Sequence, residues 1–172
     1  MHKIILIGYM AVGKTKIGEL LSKKMQIEAI DLDRVIEMET DLSIPNIFKQ
    51  KGEIYFRKIE HKIFKEIVAS EKELIISTGG GTPCYANNHL LLNGKDVTSI
   101  YLKASIEVIF NRLKSEKKQR PLVANQSEAN LKEFIAKHLF ERSYFYNQAT
   151  FTINVDNKSP EDIVEEIAGL LN

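Results

Sequence analysis

The sequence predicts an α/β fold, a three-layer sandwich with a five-stranded parallel sheet between layers of helices. Three observations carry that reading. Five short apolar, β-prone runs alternate with amphipathic stretches, the pattern of parallel strands joined by crossover helices. Two glycine loops, at Gly8 and at Gly79 to Gly81, directly follow two of those runs, and ligands in such sheets bind at the carboxyl ends of strands. No Pro/Gly/Ser-rich stretch or charge run marks a linker, so residues 1–172 are read as a single domain.

The elements follow in order. Lys3 to Gly8 (KIILIG) is the first strand, and Ile17, Leu20, Leu21 and Met25 repeat at helical spacing after the loop. Ile27 to Asp31 reads as the second strand, followed by polar helical sequence broken near Ser43 and Pro45. A longer helix starts near Glu53 with the stripe Phe56, Ile59, Ile63 and Ile67. Glu73 to Thr78 is the third strand, and a short helix is expected at Asn87 to Leu92. Val97 to Lys103 is the fourth strand, and Ile106, Ile109, Phe110 and Leu113 give the next helix its buried face. The polar stretch beyond it, with its proline, is read as an exposed loop. Then come a helix from Glu128 to Tyr146, a fifth strand from Thr150 to Val155, and a last helix. That helix is started by Ser159, Pro160 and Asp162 and buried through Ile163, Ile167, Leu170 and Leu171.

Composition narrows the function. The chain is 44% hydrophobic and 27% charged with a formal charge of +1, which argues against nucleic acid or membrane surfaces as partners. Its apolar runs fall short of the roughly 20 residues that span a bilayer, so a cytoplasmic location is expected. The single cysteine, Cys84, makes no internal disulfide, and the four histidines show no metal-ligand spacing. Of 24 basic residues only five are arginine: Arg34, Arg57, Arg112, Arg120 and Arg142. A guanidinium fork holds carboxylate or phosphate bidentately, so each of these raises the question of which anion it faces.

Gly8-Tyr9-Met10-Ala11-Val12-Gly13-Lys14-Thr15 fits G-x-x-x-x-G-K-[ST], between a strand and a helix. In that motif the loop N–H groups and the helix N-terminus cradle phosphate, Lys14 reaches the β- and γ-phosphates, and Thr15 ligates Mg²⁺. Asp31 and Asp33 end the second strand; Asp31 suits the magnesium shell and Asp33 the proton of a substrate hydroxyl, against the plainer reading of a helix cap. Arg57 and Glu60 lie three apart on one helix, as an orienting pair or a surface ion pair. Three successive glycines exceed what a turn needs and point to backbone lying against a ligand. Arg120 before Pro121 suits an arginine finger over phosphate, or else a basic surface loop. Arg142 and Tyr146, one turn apart, read by default as packing and dipole complement, and Arg112 and Arg34 as exposed.

Taken together, GYMAVGKT, DLD, FRKIE, STGGG, QRPL and ERSYFY resemble the shikimate kinase family in order and spacing over almost the whole chain; Ala11 stands where the family often has glycine. The resemblance implies a P-loop kinase with a small lid at about 114–127, using ATP and Mg²⁺ to phosphorylate the 3-hydroxyl of shikimate. It implies that Asp33, Arg57, Gly79, Gly80, Gly81 and Arg142 bind shikimate, the arginines on its carboxylate and Asp33 on its hydroxyls. Ala11, Val12, Gly13, Lys14, Thr15, Lys16, Arg112 and Arg120 are then the nucleotide-binding residues, with Arg112 flanking the adenine. Thr15 and Asp31 serve magnesium, and Asp33, Lys14 and Arg120 are the catalytic set. A monomer is expected.

Two other readings stay open at this point. A nucleoside monophosphate kinase usually carries Asp-Gly-aromatic-Pro-Arg where this chain has STGGG, while a gluconate kinase shares the fold and phosphate loop. A nucleotide switch is the alternative of another class, although the Asn-Lys-x-Asp of a GTP switch does not occur.

Overall fold

The computed structural model describes residues 2–115 and 127–171. Its strands are β1 (Lys3–Ile7), β2 (Glu28–Asp31), β3 (Leu74–Ser77), β4 (Val97–Lys103) and β5 (Phe151–Asn154). They form one sheet in the order β2-β3-β1-β4-β5, and every pairing is parallel. The helices are α1 (Lys14–Met25), α2 (Leu32–Thr40), α3 (Ile44–Lys51), α4 (Glu53–Ala69), α5 (Ile106–Ser115), α6 (Glu128–Tyr146) and α7 (Pro160–Leu171).

Parallel strands covered on both faces should be apolar at every position, and β1 and β3 are buried throughout. Lys3 obeys this in an unexpected way. It is 1% exposed, and its ammonium donates to the carbonyls of Ser70 (2.8 Å) and Lys72, just past the end of α4. A buried cation is tolerated there because those carbonyls supply its hydrogen bonds.

Register sets the level of the functional loops. Leu6 pairs with Ser77, and Ser77 with Asp31, so β1, β3 and β2 end on one row. The chain leaves β1 toward β2 through α1, returns to insert β3 between them, and crosses to the far side for β4. That reversal opens a crevice at the carboxyl end of β1, where doubly wound sheets bind ligands.

Two details depart from the sequence pattern, and the start signal of the last helix follows it. The short helix expected at Asn87–Leu92 is a 3₁₀ turn over Asn88–Leu91, entered through left-handed residues Ala86 and Asn87. Ile106 is 39% exposed and Leu170 42%, because each sits in a terminal turn; Val164 and Ala168 are buried in α7 instead. The start of α7 is a reciprocal box, with Ser159 Oγ accepting from the Asp162 N–H and the Asp162 carboxylate accepting from the Ser159 N–H.

Candidate active site

The loop after β1 is shaped for phosphate. Gly8 has φ 147, and a Cβ there would stand 2.6 Å from the Leu102 carbonyl oxygen, so only glycine fits where the chain leaves the sheet. Gly13 caps α1 in a left-handed conformation and brings no side chain to its first N–H groups, which leaves them and the helix dipole for an anion. Ala11 is also left-handed, φ 63, at a cost of about 1 kcal/mol, which explains why glycine suits the position.

Two cations take up the loop's carbonyls. The ammonium of Lys14, 8% exposed, donates to Gly8 (2.8 Å) and Tyr9 (2.9 Å); Arg112 Nη1 donates to Ala11 (3.1 Å) and Val12 (3.0 Å). Carbonyl dipoles that would repel phosphate are thereby paired and the loop presents donors. Arg112 is thus half-buried against the loop rather than the exposed helix residue its position suggests.

Beside the loop, Thr15 Oγ1 donates to Asp31 Oδ2 at 2.7 Å, while Asp31 Oδ1 caps α2 through the N–H groups of Asp33 and Arg34. Asp31 is thus the helix cap of its plainer reading, with its other oxygen turned to Thr15. The hydroxyl and carboxylate are hard oxygen donors at the rim of the phosphate loop, a set that fits Mg²⁺ completed by phosphate and water. Among the described residues no three His, Cys, Asp or Glu gather as a metal cage.

Asp33 reaches over from α2. Burial, the neighbouring carboxylates of Asp31 and Glu60, and more weakly Glu37 push its pKa up to about 6, against the pull of Lys14. A carboxylate tuned this way is a better proton acceptor near neutral pH than an exposed aspartate.

The three glycines explain themselves by their neighbours. A Cβ on Gly79 would stand 3.3 Å from Asp33 Oδ1, one on Gly80 3.5 Å from Arg142 Nη1, and one on Gly81 2.8 Å from Arg57 Nη2. None of them has a left-handed φ, so space rather than backbone freedom is what they supply. Successive residues of one loop thus abut a carboxylate and two guanidinium groups brought by three different helices.

Each guanidinium is held. Arg57 Nη1 bonds Glu60 Oε2 at 2.8 Å, and Glu60 is 1% exposed, so the pair is no surface ion pair. Its guanidinium carbon lies 3.8 Å from the centre of the Tyr85 ring. Arg142 lies 5.4 Å over the ring of Tyr9 and next to Tyr146, whose hydroxyl donates to the Gly80 carbonyl at 2.6 Å. Burial drives the Tyr146 phenol well above its usual pKa, keeping it a neutral donor.

Met10, Ala11, Gly13, Lys14, Thr15, Lys16, Asp31, Asp33, Thr78, Gly79 and Gly80 line a cleft of about 350 Å³, which joins most of the expected nucleotide and metal residues to Asp33. Arg142 adjoins Gly80 of this cleft, Arg57 adjoins the next residue, Gly81, and Arg112 holds the loop by the Ala11 and Val12 carbonyls. Arg120 and nearly all of the expected lid lie outside the described residues. Sequence reasoning missed Tyr9, whose hydroxyl meets His138 Nδ1 at 3.2 Å, and Tyr85; both are aromatic neighbours of a glycine loop, the one signal available.

A phosphate cradle set opposite a carboxylate and two guanidiniums, on a sheet of this order, defines a P-loop phosphotransferase for a small anionic acceptor. Residues 10–172 match the family described as shikimate kinase. A shikimate kinase from Flavobacterium johnsoniae is 54% identical over 99% of both chains. The structure of a Bacteroides thetaiotaomicron shikimate kinase superposes with a TM-score of 0.90 at 33% identity, covering 99% of this chain and 98% of that one. That of an Acinetobacter baumannii shikimate kinase in complex with shikimate gives 0.87 at 31% identity, covering 99% and 93%. The chain belongs to the shikimate kinase family.

Proposed function

We propose that this protein transfers the γ-phosphoryl group of ATP to the 3-hydroxyl of shikimate, giving shikimate 3-phosphate and ADP on the route to chorismate and the aromatic amino acids. The observation that carries the reading is the glycine loop. It sets Asp33, Arg142 and Arg57 side by side, a pattern suited to a molecule bearing one carboxylate and several hydroxyls.

On this reading Arg57 and Arg142 hold the acceptor carboxylate and Asp33 orients the attacking hydroxyl and takes its proton. The loop N–H groups, Lys14 and Lys16 hold the phosphates, and Arg112 keeps the loop in shape beside the adenine. Thr15 and Asp31 would hold Mg²⁺, which neutralises charge on the transferring phosphates. Arg120 is assigned the role of an arginine finger by the resemblance. Phosphoryl transfer asks mainly for positioning and charge stabilisation, and these groups supply both.

A monomer is the proposed working unit. No described helix is long and apolar enough to cross a membrane. Cytoplasmic action fits a reaction that draws on ATP. Arg57→Lys tests the assignment: a raised shikimate KM with ATP affinity spared is expected, and unchanged shikimate kinetics would remove Arg57 from the site.

A further inference from the structure

The segment that follows the glycine loop is strained and tightly tied. Ala86 (φ 51) and Asn87 (φ 57) are consecutive left-handed residues without the freedom of glycine, so their neighbours must hold them there. Asn88 does so. It is fully buried; its backbone N–H donates to the Tyr85 carbonyl at 2.9 Å and its Nδ2 to the Thr82 carbonyl at 2.9 Å. Its Oδ1 is then the acceptor in the 2.7 Å bond with His61, which places a proton on His61 Nδ1.

This ties the turn to α4 at two adjacent positions. His61 holds Asn88, and Glu60 Oε1 accepts from Thr82 Oγ1 at 2.7 Å. The turn in return supplies Tyr85, whose ring stacks on the guanidinium of Arg57. Arg57 therefore has three close neighbours: the Tyr85 ring, the Gly81 position, which has no room for a Cβ, and the Glu60 carboxylate bonded to its Nη1.

We infer that Asn88 and His61 are positioning residues for Arg57, acting by holding the turn that presses Tyr85 against its guanidinium. The inference rests on the reading of Arg57 as a carboxylate-binding group. A guanidinium already set in its binding pose loses little rotamer freedom when the carboxylate arrives, so loosening the turn weakens acceptor binding and leaves the nucleotide site alone.

The test uses steady-state kinetics with shikimate and ATP, with thermal unfolding to confirm folding. Asn88→Ala removes a fully buried group, so His61→Ala at a half-buried position and Tyr85→Leu at an exposed one carry the test if that variant does not fold. Each should raise the shikimate KM about five- to tenfold, the effect of about one hydrogen bond, with ATP KM and kcat within about twofold. His61→Gln, whose amide N–H can donate to the same oxygen, should restore most of the affinity. An unchanged shikimate KM in both variants, or an ATP KM that rises in parallel, overturns the inference. Arg57→Lys is measured alongside. If it alone raises the shikimate KM, only the positioning role falls; if it changes nothing, the reading of Arg57 falls and the inference with it.

Discussion

Asp33 should be worth more to catalysis than it costs the fold, and the two can be separated by Asp33→Asn. Burial and the nearby Asp31 and Glu60 carboxylates raise its pKa from 3.8 to about 6. A shift of roughly two units corresponds to about 3 kcal/mol between the charged and neutral forms. The sign follows from proton counts: between those two values the folded chain holds a proton that the unfolded chain has released. Stability is therefore fully present below about pH 4 and lost as pH rises through 6. Asparagine removes the buried charge, so at pH 8 the variant should be more stable by about 1–3 kcal/mol, or several degrees in Tm for a domain of this size. Urea unfolding of both proteins in a metal chelator from pH 4 to 8 should show a gain that grows with pH. A variant no more stable at pH 8, or a gain independent of pH, would refute the reasoning. Its kcat should meanwhile fall by roughly 10² or more as the proton acceptor is lost.

Other outcomes follow from the same contacts. Gly81→Ala places a Cβ 2.8 Å from Arg57 Nη2, a guanidinium already against the Tyr85 ring, so the shikimate KM should rise about tenfold or more while ATP KM holds. Arg112→Ala strips the partner from the Ala11 and Val12 carbonyls; ATP KM should rise about five- to tenfold, with shikimate KM unchanged in the same assay. Arg120→Ala should lower kcat by about 10³ in a single-turnover measurement if it is the arginine finger.

The central strands β1 and β3 were legible because two-sided burial writes them as nearly uninterrupted apolar runs, and Val97–Lys103 and the helix Glu128–Tyr146 match their predicted spans. The phosphate loop was legible because backbone geometry there demands particular residues at particular spacings. Terminal helix turns were not: periodicity marks Ile106 and Leu170 as inward, but it cannot show where a helix runs off its support. Nor could spacing reveal contacts between distant positions. Tyr9 and His138 meet across 129 residues, and Lys3 finds its carbonyls 67 and 69 residues away. The burial of Glu60 was hidden for the same reason, since its partner Thr82 arrives from another segment and changes a surface pair into a buried one.

ADP release by the purified protein with ATP and Mg²⁺ tests the central claim most directly, comparing no acceptor, shikimate, gluconate and AMP. Release that depends on shikimate, with the other three near background, is the predicted result. Release independent of acceptor, or driven by gluconate or AMP, would contradict it.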